Sequence, residues 1–121
     1  MSLMNRLSNV KNIYQTPAKK VLCVCSAGLL RSPTAANVLH KEFGYNTRSA
    51  GCVKEFALIP VDEVLVEWAD EIVCMEDVHA EIVKELPGVE EDNIKVLNIP
   101  DMFRWNDEEL QKEIIKAYKD L

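Results

Sequence analysis

The chain has 121 residues, is 48% apolar and carries a formal charge of −6. That suits one compact domain and excludes an intrinsically disordered chain. The acids gather in the second half and no basic surface is legible, so no nucleic-acid partner is expected.

Residues 1–18 are a polar, mixed tail with no apolar signal core. No apolar run approaches a bilayer span. The expected setting is cytoplasmic, with no membrane contact. Val21–Cys25 is a short run apolar on both faces, typical of a central parallel strand. The chain turns at Ser26-Ala27-Gly28. Pro33 suits the first turn of a helix that Thr34–Phe43 continues and Gly44 ends. Tyr45–Ser49 reads as a second strand and Ala50-Gly51 as a turn. Pro60 is expected to open a helix with Val61, Val64, Leu65 and Trp68 on one face. Glu71–Met75 is a third strand. Asp77 is placed to cap a helix from Val78 to Leu86, stopped by Pro87-Gly88. Ile94–Leu97 is a fourth strand. Asp107 caps a last helix to the C-terminus, with Leu110, Ile114, Ile115 and Tyr118 inward.

Strand and helix thus alternate four times. The pattern predicts an α/β fold over residues 19–121: a doubly wound, four-stranded parallel sheet with helices on both faces. In such sheets the ligand lies beyond the carboxyl ends of the strands, at the switch point. The turn Cys25–Ser32 belongs to that edge.

Four cysteines are present: Cys23, Cys25, Cys52 and Cys74. Three lie in apolar strand or strand-end segments, and reduced thiols are the expectation. Cys23-x-Cys25 is too short for a zinc knuckle or a redox pair. His40 and His79 begin no metal-ligand pattern and are expected as ordinary helix-surface residues. No metal or cofactor is therefore expected. Cys23 and Cys74 read as small core residues; Cys52, just past a strand, suggests no role.

Cys25 differs because it opens a strand-to-helix turn. Such a turn aims backbone N–H groups at one point, and the helix N-terminus adds partial positive charge. Gly28 frees the turn to take a positive φ. Arg31 can hold two phosphate oxygens in a fork. A thiol in that field is favoured as its thiolate, a nucleophile. Ser32 can donate a hydrogen bond to the sulfur and help it leave later. The implied chemistry is phosphoryl transfer through a cysteinyl-phosphate, with Ser26, Ala27, Gly28, Leu29, Leu30 and Ser32 around the oxyanion.

Cys25-x5-Arg31-Ser32-Pro33, after an apolar strand and before a helix, resembles the phosphate loop of the low-molecular-weight protein tyrosine phosphatases. Ser49-Ala50-Gly51 is similar to the close of that family's second strand. Asp70-Glu71-Ile72-Val73-Cys74-Met75-Glu76 resembles its third strand with a Cys-Met-acid ending. Asn98-Ile99-Pro100-Asp101-Met102-Phe103 stands where the family carries its general acid. The likeness spans residues 19–121 and looks closest to a short, divergent bacterial branch. It implies Cys25 as nucleophile, Arg31 as phosphate clamp and Asp101 as general acid. Phe103 and Trp105 are either a platform for a phosphoaryl ring or core residues. Several positions depart from the family. Gly28 replaces a loop-bracing asparagine, and Leu30 replaces a frequent second cysteine. Met102-Phe103 replaces Pro-Tyr, and the short stretch from Gly51 to Asp70 lacks the family's buttressing histidine. Ser32 and Ser49 remain from that polar network.

The leading expectation is a monomeric phosphomonoester hydrolase acting on phosphotyrosine proteins or small aryl phosphates. Three other functions compete. A thiol-dependent arsenate reductase needs resolving cysteines after the third strand, and Cys74 has no partner there. A cysteine phosphocarrier of the sugar-transport type needs no arginine at position 31. A phosphopeptide binder needs neither Cys25 nor Asp101. Asp107 is the alternative acid, though its place before Glu108-Glu109-Leu110 reads as a cap.

Overall fold

The computed structural model describes residues 18–26, 31–53, 57, 59–100, 102 and 106–121. β1 (Lys20–Cys25) is central, and Val21, Leu22, Cys23 and Val24 are fully buried because both faces of the strand are covered. It pairs in parallel with β2 (Asn46–Gly51) on one side and β3 (Glu71–Cys74) on the other. β3 in turn pairs in parallel with β4 (Ile94–Val96), giving the order β2-β1-β3-β4. The helices are α1 (Arg31–Phe43), α2 (Glu63–Trp68), α3 (Asp77–Val83) and α4 (Glu108–Lys119), with a 3-10 turn at Glu91–Asn93.

Side chains alternate along each strand and feed two cores. Val21, Cys23 and Cys25 with Val73 and Met75 meet Val38 and Leu39 of α1 and Leu110 and Ile114 of α4. Leu22, Val24, Ile72 and Cys74 meet Leu65, Val66 and Trp68 of α2 and Ala80 and Val83 of α3. The order reverses between β1 and β3, so the switch point lies beyond Cys25 and Cys74. No described helix is long and apolar enough to cross a membrane.

Three expectations need correction. Ala50-Gly51 is no turn: it ends the β2 ladder, opposite Val24 and Cys25. Pro60 does not open a helix. It forms a parallel bridge with Gly51, whose N–H donates to the Ile59 carbonyl and whose carbonyl accepts from Val61 N–H. Helix α2 starts only at Glu63, where the Asp62 carboxylate caps it by accepting from Leu65 N–H at 3.1 Å. Finally, Glu76 rather than Asp77 is the N-cap of α3, which ends at Val83 because Leu86 N–H bonds back to the Val83 carbonyl in a tighter turn. Gly44 does stop α1: its φ is +72° and its N–H donates to the His40 carbonyl at 2.9 Å.

Candidate active site

The end of β1 is pinned on both sides. The Cys25 carbonyl accepts from Cys52 N–H and the Ser26 carbonyl from Val53 N–H, each at 2.9 Å. The Val24 carbonyl accepts from Met75 N–H at 3.0 Å. Cys25 itself is 3% exposed, and its sulfur lies 3.2 Å from the Ser32 hydroxyl. That hydroxyl is also 3.4 Å from the Ala50 carbonyl. It has one proton, so it donates either to sulfur or to the carbonyl, and a thiolate draws it to sulfur.

Arg31 opens α1 and is 2% exposed. A buried guanidinium needs anionic or carbonyl partners. Its Nη1 donates to the Glu76 carboxylate at 2.5 Å and to the Ile99 carbonyl at 2.8 Å. The Cys25 sulfur and the Ser32 hydroxyl are thus in contact, and Arg31 precedes Ser32 at the start of the same helix.

Sequence reasoning missed His79. It is 1% exposed, not a surface residue, and its Nε2 lies 3.0 Å from the Ser26 hydroxyl. Nδ1 accepts the Glu76 N–H at 3.1 Å, so Nε2 carries the ring proton and donates to Ser26. His40, by contrast, is exposed as expected. The spacing Glu76-x2-His79 directly after a switch-point strand was the available signal, since it matches a reciprocal helix cap. The stretch from Gly51 to Asp70 holds no histidine, and it is His79, from α3, that reaches Ser26.

Ala27, Gly28, Leu29, Leu30, Asp101, Phe103 and Trp105 lie outside the described residues. Their neighbours are held. Ile99 N–H donates to the Met75 carbonyl at 2.8 Å, and Asn106 N–H donates to the Thr34 hydroxyl at 2.7 Å. Asp107 is the cap of α4, accepting from Glu109 N–H at 2.9 Å. An open cleft of about 360 Å³, lined by Glu76, Asp77, Val78, Asn98 and Pro100, adjoins the Arg31 partner.

The other thiols, Cys23, Cys52 and Cys74, are core groups that form no disulfide. Burial pushes the Cys74 thiol up to about 12 and raises Cys23 further, with help from Cys74 and Glu71. Burial raises Cys52 as well; it packs in the α2/α3 core, which supplies the role its sequence did not suggest.

No family model and no curated protein matches the chain. Solved structures do. A low-molecular-weight protein tyrosine phosphatase from Bacillus subtilis matches with a TM-score of 0.61 at 22% identity, over 84% of this chain and 97% of that one. The Erwinia amylovora tyrosine phosphatase AmsI gives 0.68 at 16% identity, over 89% and 95%. The YwlE arginine phosphatase from Geobacillus stearothermophilus gives 0.65 at 22%, over 84% and 92%. A Cys-to-Ser mutant of a YwlE arginine phosphatase has been solved with a phosphorylated active-site serine. The chain therefore has the fold of the low-molecular-weight protein tyrosine phosphatases.

Proposed function

We propose that the protein hydrolyses phosphomonoesters, with phosphotyrosine proteins or small aryl phosphates as substrates, through a cysteinyl-phosphate on Cys25. The observation that carries this reading is the Cys25 sulfur, 3.2 Å from the hydroxyl of Ser32, which follows the buried Arg31 in the chain, at the switch point of this fold. The Cys25 thiolate attacks phosphorus as the P–O ester bond breaks, and Asp101 protonates the leaving oxygen. Arg31 and the amides of the loop 26–31 hold the equatorial oxygens. Asp101 then takes a proton from water, which attacks phosphorus and releases phosphate and the thiolate. Ile99, two residues before Asp101 in the chain, bonds Arg31 and supports this assignment.

Arg31 and Asp101 favour hydrolysis over a carrier. Cys74 is fully buried, which disfavours a resolving role in arsenate reduction. The protein acts as a cytoplasmic monomer in this reading. Its test is turnover of an aryl phosphate, a phosphotyrosine peptide and a phosphoarginine peptide by wild type and Cys25→Ser. Wild type should favour the tyrosine ester. Cys25→Ser should lose turnover yet still bind vanadate or phosphate, because a serine hydroxyl fits the cradle but is hardly ionised. Substantial activity in Cys25→Ser contradicts the reading.

A further inference from the structure

We propose that Glu76 and His79, on one turn at the start of α3, are positioning residues that hold the two ends of the phosphate loop at a fixed separation. The inference rests on the phosphatase reading of the site. It adds a device that none of the motif residues contains.

The loop begins at Ser26 and ends at Arg31. Sulfur, amides and guanidinium must converge on one phosphorus, and an error of about 1 Å costs on the order of 100-fold in rate. Something must fix both ends. Ser26 is held by the His79 imidazole at 3.0 Å, and Arg31 by the Glu76 carboxylate at 2.5 Å. The two holders are also bonded to each other, Glu76 N–H to His79 Nδ1 at 3.1 Å. That bond fixes which ring nitrogen carries the proton, and the Nε2–H can then donate to Ser26. The Ile99 carbonyl takes the second Nη1 hydrogen of Arg31, so the plane of the guanidinium fork is set.

The turn that carries these groups is itself anchored. Met75, just before Glu76, donates to the Val24 carbonyl, one residue before the nucleophile. Ala80 and Val83 bury α3 in the core under β1 and β3. Both loop ends are thereby referred to the same sheet edge that carries Cys25. His79 is 1% exposed, which suits a residue acting through Ser26 rather than on substrate. The Glu76 carboxylate lies 3.8 Å from its Nε2.

The test compares wild type, His79→Ala, His79→Gln, Ser26→Ala, the His79→Ala/Ser26→Ala double variant and Glu76→Ala. His79→Gln keeps an N–H donor near the Nε2 position. His79→Ala should lower kcat on an aryl phosphate by about 10- to 100-fold with KM changed less than about threefold. Affinity for vanadate, which resembles the transition state, should fall in step. His79→Gln should restore most of both. The double variant should be no worse than the more damaging single one, because the two residues act as one unit. Long-range ¹H–¹⁵N spectra of wild type should show a neutral His79 protonated on Nε2.

The proposal is overturned if His79→Ala and His79→Gln lose thermal stability alike while kcat and vanadate affinity hold. Additive losses in the double variant, or a proton on Nδ1 in wild type, also overturn it. So does Glu76→Ala binding vanadate more tightly, since the carboxylate would then compete with the anion. If wild type turns over no phosphomonoester, the phosphatase reading fails, and vanadate affinity across the same variants still decides the clamp. If wild type turns over substrate and His79→Ala changes nothing, the clamp fails and the reading stands.

Discussion

The Ser32 hydroxyl holds one proton between two acceptors, the Cys25 sulfur and the Ala50 carbonyl. On the proposed mechanism the thiolate is consumed in the first chemical step and is the leaving group in the second. A hydrogen bond to a charged group is worth about 1.5–3 kcal/mol, so Ser32→Ala should slow breakdown of the phosphoenzyme by about 10- to 100-fold. Stopped-flow traces should then show a burst of phenolate before a slow steady turnover. A trace with no burst and an unchanged steady rate contradicts this role. The two candidate acids separate as cleanly. Asp107 caps α4, so Asp107→Ala should lower stability by about 1 kcal/mol in urea titrations and leave the pH–rate profile alone. Asp101→Asn should do the reverse: remove the alkaline limb and slow alkyl esters far more than phenolic ones, whose leaving anions need little protonation. An Asp101→Asn profile that overlays wild type places the acid elsewhere.

At the scale of elements, the cause of each outcome is local or it is not. β1 was legible because Val21–Cys25 is apolar on both faces, which only a central strand needs. The last helix was legible because Asp107 caps it and Leu110 and Ile114 recur at helical spacing. Pro60 misled because a proline fits a helix start and a strand bridge equally well, and pairing with Gly51 decided between them. His79 misled for a similar reason. Its neighbour Val78 is 57% exposed while the histidine is buried, an inversion caused by the partners that Ser26 and Glu76 offer it. The pairing of Cys25 with Ser32 was readable because the two are close in the chain; Glu76 and His79 reach Arg31 and Ser26 from a distant segment that follows the neighbouring strand. The helix stop at Gly44 gives a direct check. A methyl group there would meet nothing within 4 Å, yet φ is +72°. Gly44→Ala should therefore cost about 1 kcal/mol from backbone strain alone, read as a lower urea midpoint with activity unchanged. An unchanged midpoint would show that the helix end relaxes.

Across the whole molecule, the order β2-β1-β3-β4 matters more than any one element. It puts β1 and β3 side by side and lets their outgoing segments diverge to opposite faces, with α1 on one and α3 on the other, so the strand ends at Cys25 and Cys74 border the switch point. The same sheet buries thiols at its centre, with a consequence for stability. Cys74 is raised from 9.0 to about 12 when folded. The unfolded chain loses that proton first, so stability is intact below about pH 9 and falls as pH rises toward 12. Cys74→Ala should flatten the fall in urea midpoint between about pH 8 and 10; an unchanged slope would assign the effect to other groups. The central claim is that phosphorus passes through Cys25. Acid-quenched wild type, caught during turnover of an aryl phosphate, should carry one phosphoryl group on the peptide containing Cys25 by mass spectrometry, at a level that rises in Ser32→Ala and vanishes in Cys25→Ser. Turnover with no phosphorylated Cys25 peptide, or with the label on another residue, would contradict it.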